Sequence, residues 1–275
     1  MITLLDGPLG AASEIHAAPH WRGIELLSDL HLGEQAPATA HALAEHLAAS
    51  DADLIVLMGD LFEVWIGDEQ LDAPADPVSP MAQALQALAE AARRRPVAML
   101  TGNRDFLLGP EAARRLGWTV LPDRCVLQAF GHRQVLVHGD AECLDDRDYQ
   151  RFRAQVRTPG WREAFLARPL AERMAVARSL RDGSEQRKRE QGLAGYADLD
   201  RAEMLSLLAA AGADRLIHGH THRPGDERLG PGLSRHVLSD WDLDGQHGPA
   251  RAEVLRLDAR GLHRRPPSRL ASRPC

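Results

Sequence analysis

Short apolar runs recur along this chain, and each one stops at a small cluster of polar residues. The runs comprise residues 24–27, 54–58, 97–100, 135–137, 216–217 and 237–238. Mostly apolar runs of this length are typical of strands that are buried on both faces of a sheet. Residues 38–49 and 80–95 instead carry apolar side chains at i, i+3 and i+4 spacing, which predicts helices. The alternation of strand and helix predicts a layered α/β fold.

Three stretches lack this pattern. Residues 1–22 show no clear periodicity, and we expect them to form a loosely attached extension. The Pro and Asp content of 69–80 predicts a loop, and residues 261–275 are expected to be a frayed tail.

The region 147–190 differs from the rest of the chain in its charge. It contains twelve lysines and arginines against six acidic residues, whereas the whole chain has a net charge of -6. One interpretation is a helix pair packed on the body with a solvated arginine face. The other is a basic, partly apolar cap that faces an anionic lipid or membrane surface.

Bulk composition narrows the functional class. The acidic balance argues against a protein that coats nucleic acid, so no nucleic-acid partner is expected. Three unpatterned cysteines form neither a disulfide framework nor a thiolate metal site, which favours a reducing cytosol. Neither a secretory signal nor an apolar window of about 18 residues is visible, so we expect a soluble or surface-attached protein.

The chemistry is predicted where the apolar runs end. Seven residues with oxygen or nitrogen donor atoms follow the runs: Asp29, His31, Asp60, Asn103, His138, His220 and His222. The carboxyl ends of strands are where ligands bind in open α/β folds. Seven ligands exceed the need of one small ion but suit two divalent ions that share a carboxylate. The absence of thiolates favours Mn, Fe, Zn or Mg. His218, between the last strand and its turn, is expected to be packed rather than ligating.

The ordered motifs D-x-H, G-D, G-N, H-G and G-H-x-H resemble those of the calcineurin-like metallophosphoesterase superfamily. The resemblance implies a four-layer αββα sandwich with two sheets packed face to face. It also implies two ligand sets with Asp60 bridging, namely Asp29, His31, Asp60 and His222 for one ion and Asp60, Asn103, His138 and His220 for the other.

Arg104 departs from the superfamily pattern, which usually has histidine at this position. A guanidinium stays protonated and is a poor general acid, but it can bind phosphate oxygens with two donors. A phosphate monoester, with a second pKa of about 6, leaves without such an acid. We therefore expect cleavage of a diphosphate rather than of an alkyl ester.

Longer phrases resemble the UDP-2,3-diacylglucosamine pyrophosphatase family of lipid A biosynthesis. These phrases are GDLFEVWIGD (59–68), GNRDFLLG (102–109), HGDAECLDDRDYQRFR (138–153) and GHTHRP (219–224). The resemblance implies attack of metal-bound hydroxide on a lipid-linked UDP-sugar, giving UMP and 2,3-diacylglucosamine 1-phosphate, with Mn²⁺ as the usual ion.

The same resemblance implies how the chain is divided into a core and a cap, and which residues act in catalysis and substrate binding. The predicted core is 23–146 and 198–260, with a helical cap, 147–197, inserted after the fourth motif strand. Asp60, Asn103, Arg104 and His138 are the expected catalytic residues. The expected substrate contacts are Asn103, Arg104, Asp146, Ser184, Lys188 and His220. A cytoplasmic monomer attached peripherally to the inner membrane is expected.

Two other functions stay open at this point. One is a metallophosphoesterase for a soluble nucleotide diphosphate, dinucleoside polyphosphate or cyclic nucleotide, against which Arg104 and the basic cap argue. The other is a scaffold without activity, which would not need to keep all seven candidate ligands.

Overall fold

A computed structural model of the chain describes residues 2–72, 76–191, 197–246 and 248–268, with the side chains of 181–191 left out. These residues form two mixed sheets. The first has the order β1 (Leu5–Gly7), β2 (Gly10–His16), β7 (Arg124–Ala129), β8 (His132–Val137), β9 (Arg215–His218), β11 (Leu233–Val237), β10 (Gly225–Gly230). The second has the order β13 (Gly261–Arg265), β12 (Val254–Asp258), β3 (Ile24–Leu27), β4 (Leu54–Met58), β5 (Val97–Leu100), β6 (Thr119–Val120). In the second sheet, β3, β4, β5 and β6 are mutually parallel.

The described helices lie between and after these strands. They are α1 (Pro37–Ala49), α2 (Pro80–Arg94), α3 (Pro110–Leu116), α4 (Arg147–Val156), α5 (Pro159–Leu166), α6 (Leu170–Gln191) and α7 (Arg201–Ala211). A short 3₁₀ turn, Asp68–Leu71, overlaps the start of the stretch predicted to be a loop. Within the described parts of the chain, every helix is too short or too polar to cross a bilayer.

Four layers follow from the way β4 distributes its side chains. Leu54, Val56 and Met58 join the core between the two sheets. Ile55 and Leu57 point to the opposite face and pack with α1, α2 and α3. Successive side chains of a strand alternate between faces, so a strand covered on both sides is continuously apolar. On the far side of the seven-stranded sheet, its strands pack against α7. The predicted αββα sandwich is confirmed.

The expectation of a loosely attached N-terminal extension is wrong. β2 pairs in parallel with β7, with Glu14 opposite Val126, and Ile15 is completely buried between the sheets. Only the residues around Ile15 are buried in β2. The strand therefore lacks the apolar run by which the central strands are found, and its partner lies more than 100 residues away in sequence.

The expectation of a frayed C-terminal tail is wrong for its first residues. β13 pairs antiparallel with β12 in the six-stranded sheet. Its two arginines have buried or half-buried partners, since Arg264 contacts Glu253 and Arg265 contacts Glu25. The arginines made this edge strand look like a solvent-exposed tail in the sequence. In the structure their charges are paired within the protein. Residues 269–275 lie outside the described chain.

The basic region forms α4, α5 and α6, and it is attached to the body by arginines as well as by apolar contacts. Phe165 is buried, and Trp161 and Met174 pack against the same cluster that covers the six-stranded sheet. Arg173 is 3% exposed and donates hydrogen bonds to the Ile66 carbonyl and to Glu69. The arginines of these helices are therefore not uniformly exposed to solvent.

Candidate metal centre

The loops that follow β3 and β4 run side by side beyond the end of the sheet. The backbone N–H of Asp29 donates to the Gly59 carbonyl (3.1 Å), and that of His31 donates to the Asp60 carbonyl (3.1 Å). Leu32 continues the series. This pairing extends the parallel register of the strands and brings Asp29, His31 and Asp60 to one edge.

Backbone strain is concentrated among the predicted ligands. Five of them have a positive φ: Asp29 (54°), His31 (47°), Asp60 (49°), His220 (65°) and His222 (52°). The left-handed region costs a residue with a side chain on the order of 1–3 kcal/mol, and it persists where surrounding contacts enforce it. The fold therefore supplies free energy to hold these side chains in place.

Glycines before the ligands allow the loops to approach one another. A Cβ on Gly102 would lie 2.1 Å from Oδ1 of Asp60, and one on Gly219 would lie 2.2 Å from Oδ2 of Asp29. A Cβ on Gly59, which has a φ of 92°, would lie 2.5 Å from Nδ1 of His138. The glycine of each G-D, G-N and G-H motif is thus required by close contact with a ligand side chain.

Asp29, His31 and His222 form one group of donor atoms that all lie within 4.8 Å of one another. Nε2 of His31 lies 3.3 Å from Nε2 of His222. His222 Nε2 lies 3.4 Å from Oδ1 of Asp29. Two imidazole nitrogens and a carboxylate oxygen that converge in this way fit a borderline divalent cation.

A second group shares Asp29 with the first and adds Asp60 and His138. Nε2 of His138 lies 3.5 Å from Oδ1 of Asp60 and 3.3 Å from Oδ1 of Asn103. His220 is adjacent, with its ring centroid 5.2 Å from that of His138. The structure brings all seven predicted ligands to one rim. It joins the two groups through Asp29, and the bridging role of Asp60 stays a prediction.

Three of the histidines are oriented by partners of Nδ1. His138 Nδ1 lies 2.9 Å from the Met58 carbonyl, which it can reach only by donating its proton. His31 Nδ1 lies 3.3 Å from Glu63, and His222 Nδ1 lies 3.4 Å from Asp240. The hydrogen bond at His138 places the imidazole proton on Nδ1 and leaves the lone pair of Nε2 for a cation. The carboxylates near Nδ1 of His31 and His222 favour the same tautomer.

Sequence reasoning did not single out these carboxylates. Asp240 follows the apolar run 237–238, as the ligands follow theirs, and this was the available signal. Glu63 lies inside the phrase GDLFEVWIGD with no pattern of its own, whereas Asp105 belongs to the polar cluster that follows the apolar run 97–100. Asp105 is fully buried and accepts from the backbone of Gly102 (2.7 Å) and Leu61 (2.8 Å), which joins the two ligand loops.

The electrostatics of the site favour positive charge. Burial alone would lower the pKa of His138, but the carboxylates of Asp60, Asp29 and Asp140 outweigh it and raise that pKa to about 9. Burial would raise the pKa of Asp29, yet its hydrogen bond and charge interaction with His222 hold that pKa well below its usual range. A proton is bound here more tightly than in water. The donor set therefore fits divalent cations, which would compete with that proton.

Arg104 lies at the mouth of this site. Its backbone N–H donates to Oδ1 of Asp60 (2.9 Å), and its guanidinium lies 3.4 Å from Glu63. The side chain is 16% exposed, so part of it reaches the surface.

Three further residues were predicted to contact the substrate, and the structure describes the side chain of only one of them, Asp146. Asp146 is exposed and caps the N-terminus of α4 by accepting from the Tyr149 N–H (3.0 Å). Ser184 and Lys188 lie outside the residues whose side chains are described. His218 is completely buried against Arg235, whose Nε donates to its Nε2 (2.8 Å), which agrees with a packed rather than a ligating histidine.

The helix α4 is attached to the loop that carries Asn103. Arg157 donates to the Gly102 carbonyl (3.0 Å), and its guanidinium lies 5.0 Å from the centre of the Phe106 ring. Buried Asp140 accepts from Tyr149 and from Arg153 (2.9 Å). The basic helices therefore border the metal centre.

Comparison with known proteins gives concordant similarities. The sequence model of a family described as calcineurin-like phosphoesterase matches residues 24–224. The chain is 42% identical over 245 residues to UDP-2,3-diacylglucosamine hydrolase of Chromobacterium violaceum, covering 88% of this chain and 98% of that protein. It is 43% identical over 242 residues to the protein of that name in Bordetella parapertussis, covering 86% and 92% respectively. A dimetal phosphatase from Danio rerio is similar at 11% identity and a TM-score of 0.47, covering 90% of this chain and 99% of that one.

Proposed function

The chain belongs to the calcineurin-like phosphoesterase family, and from this premise we propose that it hydrolyses the diphosphate of UDP-2,3-diacylglucosamine. The products are UMP and 2,3-diacylglucosamine 1-phosphate, and the pathway is lipid A biosynthesis. Relatives with the corresponding name align over nearly their whole length, which supports this substrate.

The observation that carries the proposal is the position of Arg104. Its guanidinium contacts Glu63, which also contacts His31, and its backbone N–H is hydrogen-bonded to Asp60. A guanidinium binds two phosphate oxygens at once but does not donate a proton to a leaving group. A site with this residue suits a leaving group that is stable as an anion, such as a phosphate monoester.

The residues of the rim have separate roles in the proposed reaction. Asp29, Asp60, His31, His138 and His222 would hold two divalent ions, with Asn103 and His220 beside them as further ligands. Such ions, when bound, supply a nucleophile at neutral pH and neutralise charge on the phosphoryl group. Arg104 orients the diphosphate, and the strained loop backbones keep the donor atoms converged. We propose Mn²⁺ as the ion, which nitrogen and carboxylate donors accept.

An aromatic row beside Arg104 supports a lipid substrate. The ring centroids of Phe106 and Trp161 are 6.2 Å apart, and Trp161 stacks on Phe165 at 4.7 Å. The row runs from the ligand loop into α5. Phe165 is buried, so the half-buried Phe106 and Trp161 provide the apolar surface near the ligand loop. We propose that the acyl chains lie against it, with Asp146, Ser184 and Lys188 as further substrate contacts.

The proposal extends to the location of the protein. A monomer attached peripherally to the cytoplasmic face of the inner membrane would reach a lipid substrate without a membrane span. Attachment through the arginines of the cap to anionic vesicles should weaken as salt rises. Sedimentation with vesicles of phosphatidylglycerol in low and high salt tests this, and salt-insensitive binding would contradict an electrostatic attachment.

The substrate is tested by product analysis with synthetic UDP-2,3-diacylglucosamine, with and without Mn²⁺. We expect UMP and the lipid 1-phosphate to form only with the ion, and Asp60→Ala to be inactive while still folded. UDP-N-acetylglucosamine and a dinucleoside polyphosphate serve as soluble competitors. Cleavage of either soluble compound in preference to the lipid would replace the proposal with a soluble-nucleotide phosphoesterase.

A further inference from the structure

One glutamate contacts both a predicted metal ligand and the arginine at the mouth. Oε2 of Glu63 lies 3.3 Å from Nδ1 of His31, and its Oε1 lies 3.4 Å from Nη1 of Arg104. The side chains of Glu63, His31 and Arg104 are 10%, 14% and 16% exposed. Water therefore has limited access to the two contacts, and a single carboxylate connects the metal centre to the anion-binding group.

The backbone, rather than these two partners, determines where Glu63 lies. Its N–H donates to the Leu32 carbonyl (2.9 Å), which fastens it to the loop that carries His31. Two residues on, the N–H of Trp65 donates to the Arg104 carbonyl (2.9 Å). The Cα of Glu63 is thus held between the two loops, and its carboxylate can act on both.

The chemistry of each contact is directional. A carboxylate accepts hydrogen bonds from an imidazole N–H, so the closeness of Glu63 to Nδ1 favours the tautomer of His31 that is protonated on that atom. That tautomer presents the lone pair of Nε2, which is the atom 3.3 Å from Nε2 of His222. The other carboxylate oxygen pairs with the Arg104 guanidinium and restricts its rotamers.

We propose that Glu63 is a positioning residue that couples cation binding at His31 to phosphate binding at Arg104. One oxygen orients the ligand, and the other orients the guanidinium. The proposal rests on the proposed function only in assigning a phosphate to Arg104. Its effect on His31 stands apart from any substrate.

The effect on His31 is tested in Glu63→Leu, which keeps the volume of the side chain and removes both contacts. In the metal-free protein, long-range ¹H–¹⁵N spectra of labelled histidine should show His31 protonated on Nδ1 in the wild type and shifted towards Nε2 in the variant. Calorimetry should show about tenfold weaker Mn²⁺ binding, in the range found for lost carboxylate partners of metal-bound histidine.

Glu69→Leu is the matched control. Glu69 follows in the same segment and pairs with an arginine, Arg173, with an Nη2-to-Oε1 distance of 2.7 Å. This variant should keep the His31 spectrum and the Mn²⁺ affinity of the wild type. An unchanged His31 tautomer in Glu63→Leu, or equal losses of Mn²⁺ affinity in the two variants, would overturn the role assigned to Glu63.

Coupling to Arg104 is tested by a double-mutant cycle with inorganic phosphate as the probe, at saturating Mn²⁺. Glu63→Leu should weaken phosphate binding several-fold when Arg104 is present and have little further effect in an Arg104→Ala background. Losses that add in the double variant would refute the coupling. Since these measurements require no turnover, they distinguish failure of this inference from failure of the proposed substrate.

Discussion

At the residue scale, the metal centre depends on glycines that have no side chain as much as on the residues that supply donor atoms. The loops that carry the ligands approach so closely that the glycines before Asp60, Asn103 and His220 have no space for a Cβ. Five ligands also adopt left-handed backbone conformations that few residues tolerate. The glycines of the motifs are therefore required by the close contact between loops, just as the ligand residues are required for their donor atoms.

Gly102→Ala tests this interpretation. The new Cβ would meet Oδ1 of Asp60 at 2.1 Å and Nε2 of His138 at 2.8 Å, so these donor atoms must move. We expect Mn²⁺ affinity, measured by calorimetry, to fall about 10–100-fold, comparable to the loss of a partner that orients a ligand.

Gly160→Ala is the control for that substitution, because a Cβ there meets no atom within 4 Å. It lies in α5, where alanine is favoured over glycine by about 0.5–1 kcal/mol. Its metal affinity should equal that of the wild type. Equal affinities in Gly102→Ala and the wild type would show that the ligand loops accommodate the added methyl group.

At the element scale, the basic helices are held against the body by particular arginines. Arg173 of α6 donates to the carbonyls of Arg168 (3.0 Å) and Ile66 and to Glu69. Gly67, with a φ of 143°, leaves the space that its guanidinium occupies. The start of α6 is thus fastened to the loop that also carries Glu63.

Arg173→Ala should loosen this attachment. Loss of charge-assisted hydrogen bonds from a residue that is 3% exposed is expected to cost about 2 kcal/mol in the free energy of unfolding. Hydrogen exchange should accelerate in residues 64–71 and 170–178 while β4 and β5 stay protected. Arg151→Ala, which removes an exposed pair with Asp148, should change neither quantity measurably. Uniform acceleration across the sheets in Arg173→Ala would instead indicate global destabilisation.

At the scale of the whole molecule, cation binding and folding are linked. The candidate ligands come from loops after strands of both sheets, so ions bound at this rim would link the two halves of the sandwich. The buried carboxylates of this rim also repel one another. Burial and the nearby charge of Asp60 raise the pKa of Asp105 to about 6, which illustrates the repulsion.

Mn²⁺ should therefore raise the thermal stability of the intact protein. Binding to the folded state alone contributes about 2.7 kcal/mol per site at a free concentration of 100 times Kd. Melting curves with increasing Mn²⁺ should shift upwards in the wild type and shift much less in Asp60→Ala. An equal upward shift in both proteins would mean that the ions that stabilise the fold bind elsewhere.

The sequence by itself determined the fold class, the central strands and the candidate ligand set. Strands such as β4 are covered on both faces and are therefore continuously apolar, which local sequence displays directly. The ligands follow such strands within a few residues, so their motifs are local as well.

Only the tertiary structure decided what depends on distant partners. β2 is stabilised by β7, and the charges of β13 are paired within the protein, so neither strand carries a local signal. Glu63 acquires its contacts because two loops are hydrogen-bonded side by side and a third, which carries Arg104, reaches the same point. Local sequence encodes periodicity and turn geometry, whereas contacts between loops far apart in sequence arise only when the sheets are assembled.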